Sequence, residues 1–587
     1  MMGPNPAAAQ RTYGTVWDAV ADWLTHHGVP VVFGLPGDDV GVLPALESTD
    51  IRMVLCRDQR NAMFMAAGYA LGAGGFGVCI VGKGPALTNT MTGLLEARSG
   101  GVPLVLIAGG TGADRRGSGA FQELDQLALV QPLVTWAHRV DDPARLAATL
   151  DKAACVAGAG VPGPVYVEIP DHLLSDEVTR TRPWSELPVR LPGAGLPAVV
   201  GAGSARTLDA VATSRRPVLL VGGGMRGRNA DGLLERFAHR IGAAVFATAS
   251  GRGVFDESHP AFCGLAGLYT PRPARPLWRD ADLVIAAGSR LEETATYPVG
   301  FADPDVPVVQ INIDAAGLSC EFAGPKLVGD AAGVIRGWLD RLDESRPDGS
   351  PGVPAAARDP AWQAMTSEAR AGVHAAAKAR LADDVAAGRL SVARVLAELD
   401  HALGPGRILV QENGLQDMWS YFFPYWTCGP DSGCVVPSEQ TSLGFGAAAA
   451  AGVALASPDR VVVALVGDGA FTMVANDLVT IAREHIPVLY VVLRNGGYGW
   501  LQRQLDDRGS GTRFRFLHPD EDLPVPGHRN LHHAVVADAA ALRPAVQEAL
   551  VACGKGRVAV LEVVVDLDDV TEEIAELSDD SAPKTSF

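Results

Sequence analysis

Short apolar runs rich in Val, Leu and Ile alternate with helix-like patterns along almost the whole chain. A short, continuous apolar run is typical of a strand that is buried on both faces of a parallel sheet. Regular alternation of such runs with helical segments predicts βαβ units, in which helices cover both faces of the sheet. The pattern therefore predicts an α/β fold made of doubly wound parallel sheets.

Two Pro/Gly-rich bridges divide this pattern into three blocks. The bridges, at residues 191–203 and 345–359, interrupt the periodicity, as expected of linkers. A chain of 587 residues is also long enough for about three or four domains of ordinary size. We expect domains over residues 11–190, 200–345 and 360–566. Strands are predicted at residues 31–34, 77–81, 103–108 and 164–168, at 217–222, 244–247, 282–288 and 308–313, and at 407–412, 461–467, 487–493 and 558–565.

The charge of the chain excludes one broad class of partner. The formal net charge is −18 and the pI is near 5.2, and no cluster of Lys and Arg is long enough to form a basic face. A protein that binds nucleic acid needs such a face to gain from counterion release. We therefore expect no nucleic-acid partner. The last segment, residues 567–587, is rich in Asp and Glu and is interpreted as a solvated acidic tail.

The eight cysteines are scattered and form no CxxC or CxxH pair. A zinc knuckle or a disulfide framework is therefore not expected. Residues 1–10 lack the basic and apolar regions of a signal peptide, and no stretch approaches ~20 uninterrupted apolar residues. We expect a cytoplasmic protein that does not enter a membrane.

Two polar residues at the ends of predicted strands are the strongest indication of chemistry. Asp468 lies in a Gly-Asp-Gly turn after the strand at 461–467, and Asn495 follows the strand at 487–493. Because the carboxyl ends of parallel strands share one edge, both side chains are expected in the crevice where α/β sheets bind ligands. A carboxylate, an amide oxygen and the backbone carbonyl of Gly497 would supply three of the oxygen ligands of Mg²⁺. Two diphosphate oxygens and a water would complete its octahedron.

Gly-Asp-Gly alone is common in turns, whereas Gly-Asp-Gly with an Asn 27 residues after the Asp is far more specific. This pattern resembles the cofactor motif of the thiamine-diphosphate-dependent enzyme superfamily. The first block resembles the pyrimidine-binding domain of that superfamily. VFGLPGD at residues 32–38 is similar to its first strand and turn, and GPALTN at residues 84–89 is similar to its Gly-Pro-Gly-x-Thr-Asn loop. Arg57-Asp58-Gln59 stands where the superfamily has His-Glu-Gln.

Two further segments resemble the acetolactate (acetohydroxyacid) synthase branch. AFQE at residues 120–123 is similar to a segment of that branch, and LGFG at residues 443–446 stands where the branch has Met-Gly-Phe-Gly. The resemblance covers residues 14–566 and implies a pyrimidine-binding, a central and a diphosphate-binding domain. It also implies thiamine diphosphate and Mg²⁺ as cofactors, with Asp468, Asn495 and Gly497 as metal ligands.

The resemblance assigns further roles to residues of this chain. Asp58 is expected to hold N1′ of the cofactor's aminopyrimidine, and Leu443 to lie under the two rings and enforce their bent shape. Gln122 is the third catalytic candidate. The protein then orients and tunes the cofactor, which performs the carbon chemistry. The expected cofactor-binding residues are Pro36, Gly37, Pro85, Asn89, Gln416, Gly444, Gly467, Gly469, Ala470, Phe471 and Tyr498.

Several positions depart from the family pattern. Asp58 stands where the family has Glu and is shorter by one methylene, roughly 1.5 Å. A closer backbone or a bridging water compensates, or the activating group is lost. Arg494 replaces the first Asn of the family's Asn-Asn pair, Gln504 stands where the branch has Trp, and Leu415-Gln416 replaces its Gln-His. Altered substrate choice is the simplest interpretation, although accumulated drift would look similar.

The central block contains a glycine-rich turn at residues 222–226 (GGGMR) and Gly-Ser-Arg at residues 288–290. In the synthase branch this region can hold FAD, although such turns are common in any α/β domain. In the third block His528, His532 and His533 lie close together in the sequence. They are interpreted as part of a polar surface loop rather than as a proton relay.

The expected reaction is decarboxylation of a 2-keto acid followed by acyl transfer to a carbonyl acceptor, both of them small molecules. Simple decarboxylation with release of an aldehyde is the nearest alternative. A non-catalytic paralogue that binds the cofactor is an alternative of a different class. The resemblance also implies a homodimer or homotetramer with active sites at the interface, where Asp58 would face Asp468 and Asn495 across two chains.

Overall fold

Three six-stranded parallel sheets, each covered by helices, form the body of the protein. The computed structural model describes residues 10–37, 40–186, 202–343, 359–429, 431–509, 511–512 and 521–577. The predicted α/β class and the three doubly wound sheets are confirmed, and every strand predicted from an apolar run is present. No helix within these ranges is long and apolar enough to cross a lipid bilayer.

The first domain contains the following elements. Its strands are β1 (Arg11–Tyr13), β2 (Val31–Leu35), β3 (Arg52–Leu55), β4 (Gly77–Val81), β5 (Leu104–Gly110), β6 (Trp136–Arg139), β7 (Pro164–Pro170) and β8 (Val178–Arg180). Its helices are α1 (Val16–His26), α2 (Val42–Glu47), α3 (Gln59–Ala73), α4 (Pro85–Thr88), α5 (Met91–Gly100), α6 (Gln126–Val130) and α7 (Leu146–Gly158). The sheet has the order β3-β2-β4-β5-β7-β6, and β1 pairs with β8 outside it.

The two edge strands of this sheet, β3 and β6, carry no clear signal in the sequence. An edge strand is covered on one side only, so it needs no continuous apolar run. All four residues of β6 are partly exposed, and β3 has a single fully buried residue, Val54. In this first sheet, the strands that the apolar pattern missed are therefore those that are buried least.

The central domain has a different strand order. Its strands are β9 (Pro217–Val221), β10 (Ala244–Ala247), β11 (Phe262–Leu265), β12 (Leu283–Ala287), β13 (Val308–Asn312) and β14 (Lys326–Val328). Its helices are α8 (Ala202–Thr213), α9 (Leu233–Ile241), α10 (Arg275–Asp280) and α11 (Ala331–Asp343). The order β11-β10-β9-β12-β13-β14 is the one that dinucleotide-binding α/β folds use.

The third domain repeats the topology of the first. Its strands are β15 (Arg407–Gln411), β16 (Gly433–Val435), β17 (Val461–Gly467), β18 (Val488–Arg494), β19 (Leu531–Val536) and β20 (Val558–Val564). Its helices are α12 (Pro360–Ala386), α13 (Val392–Leu403), α14 (Phe445–Ala456), α15 (Asp468–Thr472), α16 (Leu478–Arg483), α17 (Gly499–Asp507), α18 (Ala539–Cys553) and α19 (Glu572–Glu576). The order β16-β15-β17-β18-β20-β19 matches that of the first sheet, strand for strand.

The first and third domains share one hydrophobic core through helices α3 and α14. Both helices are rich in Ala and Gly, and their backbones nearly touch. A Cβ atom on Gly68 would overlap the backbone of Ala449, and one on Gly452 would overlap the carbonyl of Met65. Glycine is therefore required at both positions, because any side chain would separate the helices.

The acidic C-terminal segment packs against the rest of the protein over residues 567–577, although several of its charged side chains stay exposed. Ile574 of α19 is fully buried, Glu572 pairs with Arg272 at 2.8 Å, and Glu576 pairs with Arg275 at 2.9 Å. Asp569 accepts a hydrogen bond from the backbone N–H of Val392 at 2.7 Å. The interpretation as a solvated tail is wrong for the buried Ile574 and Asp569. Glu572 stays 70% exposed although an arginine 300 residues away in sequence pairs with it. Residues 578–587 lie outside the described ranges.

Candidate active site

Asp468 and Asn495 lie together at the carboxyl edge of the third sheet. β17 and β18 are parallel neighbours, so the residues that follow them emerge side by side. One carboxylate oxygen of Asp468 accepts the backbone N–H groups of Asn495 at 2.9 Å and Gly496 at 2.7 Å. The other accepts the N–H of Gly469 at 2.8 Å. The Asp carboxylate thus holds together the two turns that carry the candidate metal ligands.

Hydrogen bonds at both the oxygen and the NH₂ group fix the orientation of the Asn495 side-chain amide. Its oxygen accepts the N–H of Gly497 at 2.8 Å, and its NH₂ group donates to the side-chain oxygen of Gln416 at 2.7 Å. Gln416 in turn donates to the carbonyl of Leu567 at 2.6 Å. The amide oxygen therefore points toward the glycine turn that contains Gly497.

Buried carboxyl groups surround this edge. Burial raises the pKa of Asp468, and the N–H donors of Gly496 and Asn495 oppose the shift. Asp417 lies against Gly467, directly before Asp468, and burial and then the charge of Glu412 raise its pKa well above the ordinary value. Neither carboxylate oxygen of Asp417 has a hydrogen bond within the described part of the chain. A buried carboxylate without partners is costly, and a cation beside it would offset that cost.

The donor set fits a magnesium ion that carries a diphosphate. Within the described ranges, no three His, Cys, Asp or Glu side chains converge as metal ligands. One carboxylate, one amide oxygen and one backbone carbonyl are instead the set that Mg²⁺ uses when phosphate oxygens complete its shell. Asp468, Asn495 and Gly497 would hold the ion, and unpartnered Asp417 favours positive charge there.

The other candidates of the third domain divide into two groups. Leu443 and Tyr498 are exposed by 42% and 36%, so part of each side chain is accessible to a bound molecule. Phe471 is buried, with its ring in a T-shaped contact with Tyr490, and Ala470 is 7% exposed. These two can contact a cofactor through their backbone alone. Gly467 is the last residue of β17, Gly469 lies in the first turn of α15, and Gly444 is the N-cap of α14.

The candidates of the first domain lie on neighbouring loops at the carboxyl edge of the first sheet. Pro36 and Gly37 line a cavity that Lys83 and Gly109 also line. Gln122 adopts a positive φ of 56°, and a Cβ on Gly84 would lie 2.8 Å from its carbonyl oxygen. The loop that begins with Pro85 is therefore packed directly against the backbone of Gln122.

A glutamine that the sequence did not single out joins these loops. Gln126 is buried, accepts the N–H of Gly84 at 2.7 Å and donates to the carbonyl of Gly109 at 2.8 Å. Its NH₂ group also donates to the hydroxyl of Tyr166 at 2.9 Å. A polar residue within the apolar start of α6 is the signal that could have identified it.

Asp58 occupies the N-cap position of α3. Its carboxylate accepts the N–H of Arg60 at 2.8 Å, and its side chain is 41% exposed. Asn89 donates to the side-chain oxygen of Gln59 at 3.0 Å, which ties the loop after α4 to the start of α3. No hydrogen bond or ion pair joins Asp58 to Asp468 or Asn495 in the described part of this single chain. Their approach across two chains stays a prediction.

One departure from the family pattern, Arg494, has a structural explanation. Arg494 pairs with the buried Glu562 at 2.5 Å, and His533 lies 3.1 Å from the same carboxylate. Although burial alone would raise the pKa of Glu562, hydrogen bonds from His533 and Arg494 hold it below the ordinary value.

His532 and His533 lie in β19, so their assignment to a surface loop is wrong. Gln504 of α17 is exposed.

The glycine-rich turn of the central domain is explained by packing. A Cβ on Gly222 would overlap the carbonyl of Gly288, and one on Gly224 would lie 2.9 Å from the same oxygen. Ser250 blocks the corresponding space at Gly223. Packing therefore explains these glycines without FAD. Binding of FAD to the central domain stays a prediction.

Comparisons with known proteins agree with this geometry. Residues 14–129, 204–337 and 413–563 match models of the thiamine pyrophosphate enzyme N-terminal TPP-binding domain, central domain and C-terminal TPP-binding domain, respectively. The fold and the site thus define a three-domain thiamine-diphosphate enzyme.

Similarity to individual proteins extends over most of the chain. The acetolactate synthase of Mycobacterium bovis is 31% identical over 521 residues, which cover 87% of this chain and 80% of that protein. The acetolactate synthase large subunit of Corynebacterium glutamicum is 30% identical over 87% of this chain and 80% of its own length. The probable large subunit of Methanocaldococcus jannaschii is 28% identical over 82% and 80%. The chain belongs to the thiamine pyrophosphate enzyme family, in the branch similar to acetolactate synthases.

Proposed function

We propose that this protein uses thiamine diphosphate and Mg²⁺ to decarboxylate a 2-keto acid and to transfer the acyl group to a carbonyl acceptor. The observation that carries the proposal is the convergence of Asp468 and Asn495 at adjacent strand ends, with Asn495 held by Gln416. The relatives from Mycobacterium bovis and Corynebacterium glutamicum, which are described as acetolactate synthases and are at least 30% identical, support the acyl transfer.

The residues of the third domain bind and orient the diphosphate end. Asp468, Asn495 and the carbonyl of Gly497 would ligate the ion, and Gly467 and Gly469 would let the backbone approach the phosphates. Leu443, which is 42% exposed, would support the two rings of the cofactor from below. Tyr498 would lie at the mouth of the same crevice.

The residues of the first domain serve the pyrimidine end and the substrate. Asp58 would hold a proton between its carboxylate and N1′ of the pyrimidine, and Gln122 would lie beside the reacting groups. When bound, thiamine diphosphate supplies the carbon nucleophile and the electron sink that decarboxylation requires. Orientation of the substrate and exclusion of water are then the tasks of the protein.

A second copy of the chain would complete this site. Phe121, Leu443 and Tyr498 are exposed by 63%, 42% and 36%, although they lie in or beside segments that the family uses for the cofactor. A homodimer or homotetramer in which the first domain of one copy meets the third domain of the other would cover them. Asp58 would then reach the cofactor that the third domain of the partner holds.

Two alternatives remain to be tested. The exposed Gln504, in the place of an acceptor-pocket Trp, favours simple decarboxylation with release of an aldehyde. The shorter Asp58 favours a paralogue that binds cofactor without catalysis. Arg494 favours neither, because Glu562 pairs with it.

The experiment that separates these functions is product analysis. Purified protein with thiamine diphosphate and Mg²⁺ is given pyruvate and a panel of 2-keto acids and aldehydes, and CO₂, acyloin and free aldehyde are quantified. We expect acyloin-type products, and a loss of at least ~10²-fold in Asp468→Ala, which removes a charged metal ligand. The matched control is Asp459→Ala, which changes an exposed Asp of the same domain. Free aldehyde alone would support the decarboxylase, and no CO₂ from any acid with cofactor bound would contradict the enzyme.

A further inference from the structure

Asp477 of the third domain holds the start of α3 in the first domain. It ends the short 3₁₀ turn Ala475–Asp477 between α15 and α16, and its side chain is fully buried. One carboxylate oxygen accepts the backbone N–H of Arg57 at 2.7 Å, and the other accepts the side-chain NH₂ of Asn61 at 2.8 Å. Arg57 directly precedes Asp58, and Asn61 lies in the first turn of α3. A single carboxylate therefore holds the chain on both sides of Asp58.

A second contact ties the same two segments together. The guanidinium group of Arg60 donates to the carbonyl of Met473 at 3.0 Å, and the backbone N–H of Arg60 donates to Asp58 at 2.8 Å. Met473 and Asp477 belong to one short stretch that follows α15, the helix that starts at Asp468. The backbone of Asp58 is thereby anchored to the third domain, while its side chain remains 41% exposed.

We propose that Asp477 is a positioning residue that sets where the carboxylate of Asp58 lies. The inference rests on the proposed function, in which Asp58 acts on the pyrimidine of the cofactor. Asp58 lacks one methylene relative to Glu, about 1.5 Å of reach, so its backbone position decides whether it can act. A misplacement of ~1 Å can cost about 10²-fold. Asp477→Glu would shift the start of α3 by a comparable distance, because the longer side chain keeps both hydrogen bonds only if the backbone moves.

The test measures cofactor activation without any substrate. The rate at which the C2 proton of bound thiamine diphosphate exchanges in D₂O is followed by ¹H NMR after acid quench, and cofactor affinity is measured by calorimetry. In Asp477→Glu we expect exchange to fall by ~10–10²-fold, while cofactor affinity changes by less than about threefold. Asp477→Asn keeps one acceptor oxygen, and its NH₂ group faces the other of the two donors. We expect a smaller loss of C2-proton exchange than in Asp477→Glu. Glu484→Gln is the matched control, because Glu484 pairs with Arg52 between the same two domains away from α3.

The double variant decides whether Asp477 acts through Asp58. If it does, Asp58→Asn and Asp58→Asn/Asp477→Glu exchange at the same reduced rate. Additive losses, a loss of cofactor affinity in Asp477→Glu, or normal exchange in that variant would each overturn the inference. Normal exchange in Asp58→Asn would instead remove the role of Asp58 from the proposed function, and the inference with it. Melting curves of each variant confirm that it is folded.

Discussion

Carboxylates buried around the ends of β15 and β17 dominate the site at the scale of single residues. Glu412, Asp417 and Asp468 are each at most 1% exposed, and only Asp468 was evident from a motif. Asp417 lies in a stretch that resembles the family poorly, so no pattern marked it. Glu412 accepts the N–H of Ala447 and of Asn413, each at 3.2 Å, and so serves the start of α14. A cation beside them would offset the cost of burying their charged forms.

Stability should depend on pH through Glu412. Burial raises its pKa from 4.5 to about 7 in the folded protein, so its contribution is complete below about pH 4.5 and is lost as pH rises through 7. The shift corresponds to roughly 3 kcal/mol, by the conversion of 1.36 kcal/mol per pKa unit. Glu412→Gln stays neutral, so its melting temperature relative to the parent protein should rise between pH 5 and pH 8. The control is the exposed Glu548→Gln, and equal pH profiles for the parent protein and Glu412→Gln would contradict the prediction.

The crossing of α3 and α14 is the decisive contact at the scale of elements. Each helix begins beside a candidate catalytic residue. Asp58 is the N-cap of α3, and Gly444, the N-cap of α14, directly follows Leu443. Their close approach depends on small residues, and the apolar composition of α14 by itself indicates only burial. The crossing therefore fixes where Asp58 and Leu443 lie within one chain.

Gly452→Ala should disrupt this crossing. Its Cβ would overlap the carbonyl of Met65, and neither backbone can move without separating the domains. We expect a loss of at least ~3 kcal/mol in the free energy of unfolding, the upper part of the range for overpacked cores. Chemical denaturation measures it, with Gly158→Ala as control, because a Cβ there meets open space at the end of α7. An unchanged midpoint for Gly452→Ala would show that the helices are not in close contact.

The whole molecule is a pair of similar domains joined by a different one. The first and third sheets share one strand order, whereas the central sheet has the order of dinucleotide-binding folds. α19 connects the third domain to the central one through Arg272 and Arg275. The carbonyl of Leu567, just before α19, also holds Gln416 at the candidate metal site.

At the scale of the whole molecule, we predict that the protein assembles into a homodimer or homotetramer. With thiamine diphosphate and Mg²⁺ present, light scattering should give at least twice the 61.2 kDa mass of one chain. Phe121→Glu should weaken the assembly, because it places a charge on a side chain that is 63% exposed in one copy. Val551→Glu, on the exposed face of α18, should leave the mass unchanged. A parent protein that stays monomeric with saturating cofactor would contradict the interface site.

The sequence alone determined the fold class, the strands buried on both faces and the pairing of Asp468 with Asn495. These depend on local periodicity and on the rule that parallel strand ends share an edge, so neither needs knowledge of distant contacts. The tertiary structure decided what joins distant segments: Asp477 with Arg57, Arg494 with Glu562, and α19 with the central domain. Such partners are tens to hundreds of residues apart. From the sequence alone, a charged side chain is expected to be solvated, and only the fold shows which residue pairs with it.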